Sequence, residues 1–150
     1  MKKLFLIMIF SLILGCAGYQ PILSTNEVNF YIKDISSSSD DRILNQIVKK
    51  FTPYKKNNGK KEINLEISSI VSEKIISKDK KGDPSIYEML IIMNVNILLP
   101  NDDNQKISFS EKISINNQTN KFEFKQYKNN LKKNAVDKIF EKIILKLRSL

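Results

Sequence analysis

Seven apolar residues recur at every second position between Tyr87 and Leu99: Tyr87, Met89, Ile91, Met93, Val95, Ile97 and Leu99. A repeat of two is the period of a β-strand, in which successive side chains point to opposite faces. The run therefore reads as a strand with one face committed to a core. A lone strand cannot supply that core, so it needs neighbours in a sheet and a second layer to cover the apolar face. The opposite parity mixes Leu90, Ile92 and Leu98 with Glu88, Asn94 and Asn96.

Three other segments supply the neighbours. Val28, Phe30 and Ile32 alternate with Asn29, Tyr31 and Lys33, which predicts a half-buried strand over 28–35. Ile63, Leu65, Ile67, Val71 and Ile75 share one parity and predict a long strand. Ile107, Phe109, Ile113 and Ile115 alternate with Ser108, Ser110, Lys112 and Ser114 and predict a fourth. Charged residues from Lys78 to Asp83, with Gly82 and Pro84, mark one turn; Pro100 to Asn104 marks another.

Two segments have helical spacing. Ile43, Leu44, Ile47, Val48 and Phe51 follow Ser36–Ser39, with Asp40 or Ser39 as the cap and Asp41 favouring the N-terminal dipole. Lys49 and Lys50 suit the other end, Pro53 stops the helix, and Thr52–Lys61, with Asn57, Asn58 and Gly59, reads as a loop. From about Phe124, Tyr127, Leu131, Ala135, Ile139, Ile143 and Leu147 recur every fourth residue, widened by Phe140 and Ile144. A helix lying on a membrane would also have such a stripe. The sheet needs a cover that the short first helix cannot supply, so the stripe is read as core packing. The expected order is β-α-β-β-β-α. The fold class is α+β, a two-layer sandwich whose mixed four-stranded sheet has both helices on one face. The first two strands are expected parallel across the helical crossover, the last three joined as hairpins.

The N-terminus has a separate logic. Lys2 and Lys3 precede an apolar run from Leu4 to Leu14 broken only by Ser11. A membrane-spanning helix needs about 20 apolar residues. This run has the length of a signal-peptide core. It ends in Ile13-Leu14-Gly15-Cys16, which resembles a bacterial lipobox: aliphatic at −3, small at −1, then Cys. Leu14 at −2 is bulkier than usual there. The expectation is cleavage between Gly15 and Cys16 and covalent lipid on Cys16. The competing reading is a buried Cys behind an uncleaved anchor. Ala17 at +2, where Asp would signal retention, points to the outer membrane, with the lipid-anchored chain on its periplasmic side. The chain thus divides into a cleaved signal peptide (1–15), a lipidated tether (16–27, with Gly18, Pro21, Ser24 and Thr25) and a single domain (28–150).

Composition excludes much chemistry. One Cys and no His leave no disulfide, no ordinary zinc site and no His-based triad or base. Four scattered Gly form no phosphate loop, and no Ser stands in a Gly-x-Ser-x-Gly setting. No catalytic residue, no metal site and no cofactor beyond the lipid on Cys16 is expected; the chain does not read as an enzyme. At 41% hydrophobic and 27% charged it can bury a core. Its net charge of +9 falls to +7 once Lys2 and Lys3 leave with the signal peptide. Residues 49–61 hold six Lys and no acid, and 121–150 hold nine basic residues against three acidic, while the rest of the mature chain sums to −5. Such runs are most simply solvated faces. A secretory leader and the lack of a recognised motif argue against nucleic acid. In a bacterial envelope the abundant polyanion is lipopolysaccharide, and Lys78, Lys80 and Lys81 on a hairpin tip are candidate phosphate-binding point charges; the plainer account is a soluble loop.

The chain resembles the lipopolysaccharide-assembly lipoprotein (LptE) family. Cys16-Ala17-Gly18-Tyr19-Gln20-Pro21 is similar to that family's Cys-Gly-(Phe/Tyr)-x-Pro start. The element order agrees, and Tyr127, Leu131, Ala135, Asp137, Ile139, Ile143 and Leu147 follow its final-helix spacing, although Ala135-Val136-Asp137 stands where an Asp-Ala pair is common. The resemblance implies a lipoprotein of the lipopolysaccharide translocon, a plug and assembly partner of the outer-membrane β-barrel LptD that assists lipopolysaccharide insertion into the outer leaflet. Its lipid-contacting residues carry no motif that transfers to this chain. The alternative is an auxiliary lipoprotein of an ABC-type lipid transporter or another periplasmic binding module.

Overall fold

The computed structural model describes residues 28–38, 42–56, 61–101 and 103–150. The elements are β1 (Phe30–Ser37), α1 (Arg42–Lys50), a 3₁₀ turn (Thr52–Lys55), β2 (Lys61–Lys78), β3 (Pro84–Leu98), β4 (Gln105–Asn116) and α2 (Lys121–Arg148). They form the expected α+β fold: one four-stranded mixed sheet in the order β1-β2-β3-β4. β1 runs parallel to β2, and β2–β3 and β3–β4 are antiparallel hairpins.

The parity of β3 decides which face is buried. Met89, Ile91, Met93, Val95 and Ile97 are almost wholly removed from water, together with Phe30 and Ile32 of β1 and Ile63, Leu65 and Ile67 of β2. Ile43, Leu44 and Ile47 of α1 join the same core as Ala135, Val136, Ile139, Phe140, Ile143, Ile144 and Leu147 of α2. Both helices therefore cover one face. Phe51 and Phe140 meet edge to face at 5.0 Å between ring centres, and Lys50 reaches Asp137 at 2.9 Å, so α1 and α2 also touch each other. Edge-to-face rings add about 0.5–1.5 kcal/mol beyond burial.

Four sequence expectations shift. β1 spans Phe30–Ser37 rather than 28–35, with a register slip between Ile32 and Asp34 that carries it past Ile35. Thr52–Lys61 is not all loop: Thr52–Lys55 winds into a 3₁₀ turn with Pro53 near its start, because Tyr54 is needed in the core, stacked 5.9 Å from Phe30. α2 begins at Lys121, not Phe124, because the Asn120 side chain accepts from the Phe122 and Glu123 amides and closes an extra first turn. Val71 and Ile75, expected on the buried face, are 37% and 47% exposed, because β1 ends opposite Ile67. The caps assigned to Ser39, Asp40 and Asp41 lie outside the described residues.

Candidate functional site

Of the candidate residues, Gly15 and Cys16 lie outside the described residues. Lys78, Lys80 and Lys81 are brought together on the tip of the β2–β3 hairpin, all exposed. The tip is a built turn. Asp79 accepts the Lys81 amide at 2.8 Å and the Asp83 amide at 2.9 Å through one carboxylate oxygen, and its own amide donates to the Asp83 carbonyl at 2.8 Å. The Gly82 amide donates to the Asp79 carbonyl at 3.1 Å, and Gly82 has φ +90°, a conformation only glycine adopts cheaply. The backbone is thereby held while the three ammonium groups stay in water. None of the ion pairs among the described residues involves them. They act as solvated point charges beside two carboxylates of the same turn, which suits loose attraction of phosphate rather than a tight anion pocket.

A shallow basin of about 360 Å³ lies at the base of this tip, among Asp79, Asp83, Ser85, Asn117 and Gln118. A second, of about 430 Å³, opens where β1 ends, lined by Ser36, Ser37, Ser38, Ser68, Asn94 and Asn96 with Glu66. Asn96 donates to Glu66 at 3.0 Å across it. Both are open, with hydroxyls, amides and carboxylates, Ile67 joining the wall of the second, and neither has an aromatic wall. Among the described residues no three His, Cys, Asp or Glu side chains gather to hold a metal, and no helix is long and apolar enough to cross a membrane.

The basic runs are partly neutralised by the fold. In α2, Lys128 pairs with Glu73 of β2 and Lys142 with Glu111 of β4 at 2.5 Å. Two carboxylates on the uncovered face of the sheet are held below their ordinary range: Glu62 by hydrogen bonds from Lys33 at 2.7 Å and Tyr31 at 2.6 Å, and Glu88 chiefly by Lys74 at 3.0 Å, helped by Lys112. The same contact raises the Tyr31 phenol.

A layer of two helices on one face of a β1-β2-β3-β4 sheet, with a parallel first pair, is a specific arrangement. Rare lipoprotein B from Shewanella oneidensis superposes with a TM-score of 0.56 at 12% identity, over 77% of this chain and 95% of its own. Lipoprotein B from Nitrosomonas europaea gives 0.54 at 15% identity over 84% and 90%. A minor lipoprotein from Acinetobacter baumannii gives 0.60 at 10% identity over 81% and 92%. The fold is shared with bacterial lipoproteins. No protein-family model and no curated protein matches the sequence.

Missed by sequence reasoning were the serine-rich basin at the end of β1 and the exposed aliphatic stretch of β2. Parity assigned residues to faces, but only the length of β1 shows where β2 loses its neighbour.

Proposed function

We propose that the chain is an LptE-type lipoprotein, anchored in the outer membrane through lipid on Cys16, and a plug and assembly partner of the barrel LptD. The observation that carries this reading is the fold match: rare lipoprotein B of Shewanella oneidensis and lipoprotein B of Nitrosomonas europaea share the fold along 95% and 90% of their own chains. The lipobox at Ile13-Leu14-Gly15-Cys16 supports it independently, since it places such a domain on a lipid tether. Acyl chains contribute about 0.8 kcal/mol per buried CH₂, and more than one chain makes anchoring stable.

The uncovered face of the sheet fits a protein seated against another surface. It displays Glu62, Glu66, Lys74, Lys112, Ser68, Asn94 and Asn96 with the exposed Ile70 and Ile76 among them, a mixed and mainly polar surface. Lys78, Lys80 and Lys81 stand at the far end of the hairpin, where they can meet lipopolysaccharide phosphates. The role is binding and assembly rather than catalysis.

The test is recovery of the lipidated protein from detergent-solubilised membranes through a C-terminal tag. The expected result is co-purification of a large β-barrel with the wild type, and its loss from membrane extracts of Cys16→Ala. Recovery of no barrel overturns the reading, and recovery of an ABC-type transporter in its place supports the alternative.

A further inference from the structure

Six large apolar side chains are exposed among the described residues, and four fall within seven consecutive positions of β2: Ile70 (54%), Val71 (37%), Ile75 (47%) and Ile76 (47%). The cause is topological. β1 pairs with β2 only as far as Ile67, with one last bond from the Ser38 amide to the Ile67 carbonyl, whereas β2 continues to Lys78. From Ile70 to Ile76, β2 has β3 on one side and no described strand on the other. That leaves a row of backbone donors and acceptors open to another strand.

The other edges are protected in the usual ways. β1 carries Lys33 and Asp34 on its exposed positions and a register slip between Ile32 and Asp34. β4 presents Lys106, Ser108, Ser110, Lys112 and Ser114. Charges, polar residues and bulges discourage strand addition. The open stretch of β2 carries aliphatic residues instead, with charge only at its centre.

The order of residues in that stretch selects the occupant. Ile70-Val71-Ser72-Glu73-Lys74-Ile75-Ile76 is a palindrome of character about Glu73. Two antiparallel copies related by a two-fold axis through Glu73 set Ile70 opposite Ile76 and Val71 opposite Ile75, twice over, with Ser72 opposite Lys74. Each pairing joins residues of one parity, so both helical layers stay on the same side of a continuous sheet. Moving the axis to Ser72 would set Val71 against Glu73; moving it to Lys74 would set Glu73 against Ile75. One register is therefore favoured, as the period of two requires. Charge agrees with it. The two Glu73 carboxylates that meet at the axis each already have Lys128 of their own chain, and Lys74 is held by Glu88 at 3.0 Å, so the centre is neutral. An isologous contact needs such self-complementarity.

We infer that residues 70–76 of β2 are a self-association edge, which pairs antiparallel with the same stretch of a second copy to make an eight-stranded sheet. A single pair of strands makes a small contact, at the low end of interface sizes where transient associations lie. It needs only this chain, so its test does not depend on the barrel reading, and it describes copies that are not seated in a barrel.

The test uses the full chain carrying Cys16→Ser in detergent, so that any added cysteine is the sole thiol. Sedimentation equilibrium should show the protein mass doubling between about 1 and 100 µM. Ile70→Lys with Ile76→Lys should stay monomeric over that range with wild-type circular dichroism, since neither side chain is in the core. Directly opposed residues in an antiparallel pair have Cβ atoms about 4.5–5.5 Å apart, near disulfide reach. Glu73→Cys should therefore cross-link to a dimer at least about tenfold faster than Ser110→Cys on the exposed positions of β4. A wild-type chain that stays monomeric throughout overturns the inference, even if a foreign strand peptide binds the edge. So does a dimer in which Glu73→Cys cross-links no faster than Ser110→Cys.

Discussion

Lys78, Lys80 and Lys81 show what a residue type can and cannot tell on its own. Three lysines beside Gly82 and Pro84 were legible as a charged hairpin tip, and they occupy one. Not legible was that Asp79 spends one carboxylate oxygen on two backbone amides, which holds the turn and places negative charge among the lysines. Exposed ion pairs are worth about 0.2–1 kcal/mol each and weaken with salt. Replacing all three lysines by Ser should lower lipopolysaccharide affinity about tenfold at low ionic strength, with the difference shrinking as salt rises. Binding measured by titration on immobilised glycolipid checks this, and an unchanged affinity removes the tip from the lipid-binding surface. The fold should be unaffected, because the turn is built by Asp79 and Gly82.

Ile91 and Val71 share a face and are paired neighbours across β2 and β3, yet their environments are opposite. Ile91 is wholly buried, and Val71 stands at the free edge. Ile91→Ala should cost about 2–5 kcal/mol through lost contacts and a residual cavity. Val71→Ala should cost under about 0.5 kcal/mol in the monomer, as exposed substitutions do. Urea denaturation of the two variants at dilute concentration measures the contrast. Equal losses would show that β2 is covered along its whole length. Alternation identified all four strands and the helical repeat identified both helices, since those periods are local properties of the chain. Strand ends were less legible. β1 runs to Ser37, beyond the last alternating residue, and Thr52–Lys55 winds up where Tyr54 stacks on Phe30, a contact that no local pattern announces.

Ion pairs tie separate parts of the molecule together: β1 to β2 through Lys33 and Glu62, β2 to β3 through Lys74 and Glu88, and α2 to β4 through Lys142 and Glu111. Among the described residues, Glu62 and Glu88 are carboxylates held below their ordinary value of 4.5. A group depressed in the folded state adds stability that is complete above its unfolded pKa and is lost as pH falls through the folded one. Stability should therefore be level from neutral pH down to about 4.5 as far as these two groups are concerned, and fall below it. Glu62→Gln with Glu88→Gln should flatten that fall. Denaturation midpoints between pH 7 and 3 for both proteins check it, and parallel curves would show that these contacts do not matter to folding.

The amino-acid sequence by itself determined the fold class, the face of each strand, the helical cover and the absence of His or cysteine-pair chemistry. These follow from periodicity and composition, which are carried along the chain. It also holds Ile13-Leu14-Gly15-Cys16, whose lipobox-like order is legible without any fold. The tertiary structure alone decided which apolar residues are covered. Val71 and Ile75 have the parity of Ile63 and Ile67, but burial is a relation between elements. β1 ends opposite Ile67, eleven residues before β2 ends at Lys78, and so positions that parity marks as core are left uncovered.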